Sequence, residues 1–299
     1  MNENRSAHPF DIDAYSPAQI AQRVEAAGVA KAHLPFLQTL VLGVLAGAFI
    51  AFGGMSYTVV VTGSELGLGP TRLLGGVAFS LGLILVVIGG AELFTGNNLI
   101  AMAWAERRVT TRRLLQNWLL VYVGNAVGAV ASAVAVLLSG ILEGGGGDIQ
   151  ATAAAIARAK IELDGVEAFF RGILCNALVC LAVWLCFAAH SVSGKILAVL
   201  FPISAFVALG FEHSVANMYL IPVGLFSGAA TPGSDKLVGL VQNVFVVTLG
   251  NIVGGTILVA LVYWLVYLRP GGVRRERKPA SATENAEPGT KREEPRRER

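Results

Sequence analysis

The chain has 299 residues, 54% hydrophobic and only 14% charged, with a formal net charge of +3 and a mean hydropathy of +0.63. Its apolar residues fall in runs of about 20 or more, which few soluble domains could bury. That excludes an ordinary soluble enzyme and identifies an all-α polytopic membrane protein, with no strongly basic surface of the kind that binds nucleic acid.

Residues 1–35 read as a cytoplasmic N-terminal segment. Met1 to Phe36 is polar and carries Asp11, Asp13 and Glu25, so it lacks the apolar core and cleavage site of a secretory signal. Ser16 predicts a helix N-cap, Pro17 the first helical position and Gln19 the reciprocal member of a capping box, with the helix continuing through QIAQRVEAAGVAKA. This amphipathic helix is expected to anchor at the membrane surface, a gating role being the sharper alternative.

A transmembrane domain is expected over residues 36–268. At about 20 helical residues per crossing, six spans emerge, at 36–62, 73–104, 114–140, 168–189, 196–224 and 239–268. The second and fifth are long and interrupted by Gly, Asn and charged residues, which a lipid-facing helix avoids. Arg107, Arg108, Arg112, Arg113, Lys195, Arg269, Arg274 and Arg275 fall on one side, which places both termini in the cytoplasm. From 269 to 299 the chain becomes a mixed-charge tail with no residues to build a core, so disorder is expected there, and it accounts for the small net charge.

The chain repeats itself. GAELFTGN (Gly90 to Asn97) matches GFEHSVAN (Gly210 to Asn217) 120 residues later, and Asn117, Gly124, Asn125 and Gly128 recur 126 residues later as Asn243, Gly250, Asn251 and Gly254. No comparable match joins the first and fourth spans. Repeats of three spans must enter the membrane from opposite sides, giving two inverted three-helix repeats whose second helices break near the midplane. Gly124, Gly128, Gly250, Gly254 and Gly255 read as close-packing positions.

Glu92 and Glu212, one per repeat, are expected to be structural at the breaks, hydrogen-bonded to freed backbone amides, to Asn97 and Asn217, or to both. His213 has no twin, since Leu93 holds the equivalent position. An imidazole changes charge near pH 6.5 when unperturbed, so His213 is the candidate for binding or protonating an anion. Thr95, Asn176, Asn217 and exposed amides at the half-helix N-termini complete the set of donors an oxyanion would need. Cys175, Cys180 and Cys186 follow no metal or redox spacing, and no nucleotide loop, metal cluster or nucleophile elbow is present, so no cofactor, metal or catalytic residue is expected. A membrane-embedded enzyme using Glu212 and His213 as an acid/base pair is disfavoured, because adjacent helical residues diverge by about 100°. A neutral-solute pore is the other alternative.

GFEHSVANMYLIP, together with FSLGLILVVIGGAELFTGN, RGILCNALVCLAVW and GNIVGG, resembles the formate/nitrite transporter family from about Phe10 to Leu268. The resemblance implies an aquaporin-like fold, a homopentamer with one pore per protomer in the cell inner (plasma) membrane, and pH-dependent passage of small monovalent anions of weak acids. Formate is the first expectation, with nitrite or hydrosulfide the alternatives. Motif position makes His213 the central pore histidine and Thr95 its partner. It places Phe79, Leu83 and Phe206 at apolar constrictions, Asn176 and Asn217 as pore-facing amides, and Lys160 and Lys31 as vestibule lysines that attract anions. In that scheme the partners are the anion, the lipid bilayer and further copies of the chain, with no nucleic acid.

Overall fold

The computed structural model describes residues 14–228 and 233–269. The expected disorder beyond residue 269 and the reading of Asp11 and Asp13 lie outside the described residues.

The described chain is helical, apart from an isolated bridge between Ala14 and Ala189. Helix α1 (Pro17–Ala32) begins at the expected capping box: Ser16 N donates to Gln19 Oε1 at 2.8 Å, and Gln19 N to Ser16 Oγ at 3.5 Å. Its apolar face does not lie on a lipid surface, however. Ile20, Ala21 and Val24 are buried in one cluster with Leu99, Met102, Trp184 and Val259, and Arg108 donates to the buried Glu25 at 3.1 Å. The helix is a docked part of the bundle.

The first repeat continues with α2 (Phe36–Val61), α3 (Leu68–Gly89), the short α4 (Phe94–Asn97) and α5 (Ala101–Ala105) joined by a 3-10 turn, and α6 (Thr111–Leu138). The second contains α7 (Asp148–Ile161), α8 (Gly165–Ala188), α9 (Val192–Ala208), α10 (Ser214–Phe226) and α11 (Ser234–Ile252). The last passes through a π-helical stretch (Val253–Leu261) into α12 (Val262–Tyr267). Helices α2, α3, α6, α8 and the continuous run Ser234–Tyr267 are long and apolar enough to cross a membrane, while α9 and α10 are shorter apolar helices that follow one another across the second break. The six expected spans are thus found, the second and fifth broken.

Both breaks use the same local device. Gly90 and Gly210 adopt left-handed backbones, with φ of 79° and 72°, which only glycine enters at no steric cost. The next amide folds back to satisfy the helix end: Ala91 N donates to Val86 O, and Phe211 N to Phe206 O, both at 3.0 Å. Residues 91–93 and 211–213 are non-helical, ending in the extended Leu93 and His213, before the chain re-enters a helix.

Asparagine side chains bind each break to its neighbours. Asn125 Nδ2 donates to Gly43 O at 2.8 Å and Glu92 O at 2.9 Å, while its Oδ1 accepts Phe94 N at 2.9 Å. Asn251 does the same with Gly172 O at 2.8 Å, Glu212 O at 3.0 Å and Ser214 N at 2.9 Å. These equivalences supply the match between first and fourth spans that the sequence conceals: Gly43 and Gly172 are 129 residues apart. The same offset pairs α1 with α7, a helix that sequence reading leaves as loop because it follows the glycine run EGGGG. Each repeat therefore carries, before its three spans, one outer helix docked on the bundle.

Replacing Asn251 with Leu would strand one buried N–H and two buried carbonyls. At about 1–3 kcal/mol for each orphaned group, Asn251→Leu is expected to lower the thermal midpoint in detergent clearly below that of the parent, and an unchanged midpoint would show that the staple is dispensable.

Candidate functional site

The breaks bring the two repeats together at the N-terminal ends of α4 and α10. His213 is the N-cap of α10: its Nδ1 accepts the Ala216 amide at 3.1 Å. Acting as an acceptor there, Nδ1 is unprotonated and the neutral ring carries its hydrogen on Nε2. Nε2 lies 3.0 Å from Thr95 Oγ1, and both residues are buried. Apolar rings adjoin this pair. Phe206 stacks over His213 with centroids 6.0 Å apart at 19°, and Phe79 meets Phe206 edge-on at 5.6 Å. Leu83 faces a separate cavity of about 280 Å³, lined also by Lys31, Glu92, Leu93, Asn97 and Ile100, over which α1 packs.

Glu212 and His213 are adjacent but point apart, and they do so in the non-helical segment before α10 rather than on a helix as expected. His213 faces Thr95, whereas Glu212 accepts Lys160 Nζ at 2.9 and 3.0 Å and Asn217 Nδ2 at 2.6 Å. Asn217 Nδ2 also donates to Asn243 Oδ1 at 2.8 Å, and Asn243 Nδ2 to the Lys160 carbonyl at 2.7 Å.

The first repeat builds the same closed network. Glu92 accepts Lys31 Nζ at 2.6 Å and Asn97 Nδ2 at 2.7 Å, Asn97 Nδ2 reaches Asn117 Oδ1 at 2.9 Å, and Asn117 Nδ2 reaches the Lys31 carbonyl at 3.1 Å. One difference stands out: Lys31 also donates to Asn97 Oδ1 at 3.2 Å, whereas Asn217 Oδ1 has no partner among the described residues.

The structure thus joins His213, Thr95, Phe79 and Phe206 in one place. It joins Lys31, Glu92 and Asn97 in a second, and Lys160, Glu212 and Asn217 in a third. Glu92 and Glu212 bond the asparagines as expected but not the freed amides, which Asn125 and Asn251 take instead. Both lysines, expected to draw anions into a vestibule, are ion-paired. Asn176 is buried behind Thr95 with its Nδ2 on three carbonyl acceptors. In the sequence Asn117, Asn125, Asn243 and Asn251 stand out only as markers of the repeat. The available signal was two amides eight residues apart in each of two apolar spans, where an unpaired amide would be costly.

The formate/nitrite transporter family profile matches residues 18–265. The chain is 40% identical over 281 residues to a protein named formate channel FocA of Escherichia coli, covering 89% of this chain and 98% of that one. It is 42% identical over 271 residues to a probable formate transporter of Methanothermobacter thermautotrophicus, covering 85% and 97%. Among solved structures it is similar to a pentameric formate channel with formate bound, with a TM-score of 0.72 and 38% identity over 78% of this chain and 98% of that one. It is also similar to an FNT family ion channel, with a TM-score of 0.73 and 29% identity over 82% and 98%.

Proposed function

The chain belongs to the formate/nitrite transporter family, and from that premise we propose that it is a pH-dependent channel for small monovalent anions of weak acids, formate first among them. The observation that carries this reading is the buried contact between His213 and Thr95 at 3.0 Å, beside the rings of Phe206 and Phe79. An apolar passage rejects a bare anion. An imidazole that first takes up a proton from water at Nδ1, releasing the Ala216 amide, becomes an imidazolium that can hand one proton to the anion and return to the neutral ring as the neutral acid leaves. Thr95 offers a hydroxyl that donates or accepts, so it can follow the change.

In this reading Asn217 lies beside the passage with its Nδ2 committed to Glu212 and Asn243, Leu83 with Phe79 and Phe206 forms the constrictions, and Glu92, Asn97 and Glu212 hold the breaks in shape. Lys31 and Lys160 mark the two approaches as polar without acting as free cations. The protein acts as a homopentamer of separate pores in the cell inner membrane with both termini cytoplasmic, as its loop arginines favour. It passes its anion chemically unaltered, in keeping with relatives named as channels and transporters.

Reconstituted protein tested with formate, nitrite, hydrosulfide and glycerol between pH 5 and 8 checks the proposal. Formate flux is expected to exceed the others and to rise as pH falls, with glycerol excluded. Glycerol flux indifferent to pH would instead mark a neutral-solute pore, and chemical turnover of any of the four would mark an enzyme.

A further inference from the structure

The repeats differ at many positions, and several of the exchanges meet around Thr95. His213 stands where the first repeat has Leu93, Asn176 where it has Gly47, and Gly255 where it has Ala129. In the other direction, Thr95 and Asn98 correspond to Val215 and Met218. The network residues Lys31, Glu92, Asn97, Asn117 and Asn125 recur as Lys160, Glu212, Asn217, Asn243 and Asn251. These exchanges occur once, and the fold gathers them at a single spot.

Asn176 Nδ2 lies 3.3 Å from Thr95 O, 3.1 Å from Asn98 Oδ1 and 2.7 Å from Asn251 O. One helical turn further along α8, the Cys180 thiol lies 3.4 Å from the same Thr95 carbonyl. An amide nitrogen has two hydrogens, and three acceptors already surround this one, so it keeps none for a passing anion.

The space for Asn176 comes from the π-helical continuation of α11. Gly255 falls within the π-helical stretch Val253–Leu261, whereas the equivalent residues 127–135 of α6 lie in regular α-helix. A Cβ at Gly255 would collide with Asn176 Nδ2 and approach Cys180 Sγ to 2.8 Å and Asn98 Cβ to 2.9 Å. Local π-helix is uncommon and concentrates at functional positions.

We infer that Asn176 is a positioning residue: seated against Gly255 in the π-helical stretch, it fixes the backbone of Thr95 so that the hydroxyl meets His213, and thereby sets which anions the pair accepts. This rests on the reading of His213 and Thr95 as the anion site. The frame sits behind Thr95 and touches the anion only through it, so loosening it should change selectivity and pH response before it changes folding. Asn176 is thereby removed from the set of pore-facing donors.

Liposomes containing Asn176→Leu, Gly255→Ala, Ala129→Gly or His213→Ala, each checked for folding by size-exclusion chromatography, would be compared for formate and acetate flux across pH 5 to 8. Asn176→Leu keeps the branched outline of the side chain and removes the donor; Gly255→Ala keeps the donor and displaces it. Both are expected to lower the formate-to-acetate flux ratio about tenfold, on the scale by which one methylene is discriminated in a pocket, and to move the midpoint of the pH profile. Ala129→Gly, at the repeat-related position, leaves both unchanged. If Asn176→Leu keeps the parental ratio and pH profile while His213→Ala alters them, the positioning role is wrong and the anion site stands. If His213→Ala also leaves them unchanged, the site itself is misplaced.

Discussion

Glu212→Ala is expected to destabilise the folded protein by about 3–5 kcal/mol, the usual effect of removing one member of a buried ion pair. The carboxylate is the common acceptor of the second repeat's network, holding the Lys160 ammonium through both oxygens and the Asn217 amide through one. Side-chain exposure is 6% for Glu212 and 15% for Lys160, so water cannot readily replace it. The variant leaves an unpaired cation and an amide with one acceptor beside the break that presents His213. Thermal denaturation in detergent measures the loss. The double variant Glu212→Leu with Lys160→Met should recover most of it, because replacing a whole buried pair with apolar residues is often neutral or better. Glu92→Ala should cost less, since Lys31 is 33% exposed and can turn to water. A single variant within about 0.5 kcal/mol of the parent, the range of an ordinary surface substitution, would show that the pair does not hold the break.

His213→Ala should lower formate flux at pH 5 about a hundredfold and abolish its rise with falling pH. A charge at the centre of a membrane is disfavoured by about 2.5–3.5 kcal/mol on insertion scales, and each 1.4 kcal/mol is a factor of about ten. A step that discharges the anion before the apolar rings of Phe206 and Phe79 therefore carries an effect of that size. Because His213 also caps α10, alanine removes a helix cap worth about 1 kcal/mol as well. His213→Asn separates the two functions: asparagine is a strong N-cap but does not titrate near neutral pH. It should match alanine in flux while keeping more of the thermal stability. Parental flux and pH profile in both variants would rule out the imidazole as the proton donor.

Much of the architecture was legible in the sequence because it rests on local chemistry or on symmetry. The start of α1 is written in Ser16, Pro17 and Gln19, and the breaks in Gly90 and Gly210, each followed by a carboxylate that no lipid-facing helix would carry. The isolation of His213 follows from its mismatch with Leu93. What stayed hidden depends on long-range pairing. Lys31 and Glu92 are 61 positions apart, and nothing local marks them as partners. Helix α7 is masked by the glycines before it, and its kinship with α1 survives mainly in Lys31 and Lys160. Asn176 looks like any polar residue in an apolar span until Gly255 is seen to make its seat. The docked face of α1 escaped because an amphipathic pattern cannot distinguish lipid from a neighbouring helix.

The closed networks of the two halves also bear on how the chain is made. The two buried acidic residues at the breaks are each synthesised after their partners, Glu92 following Lys31 by 61 residues and Glu212 following Lys160 by 52. The asparagine staples likewise stay within their own half. The first half can thus neutralise its internal charge while the second is still on the ribosome, and the second can then repeat the operation from the opposite face. Contacts at Thr95, which join the halves, can form only afterwards. A newly inserted chain would complete its scaffold in two instalments and acquire selectivity at the end.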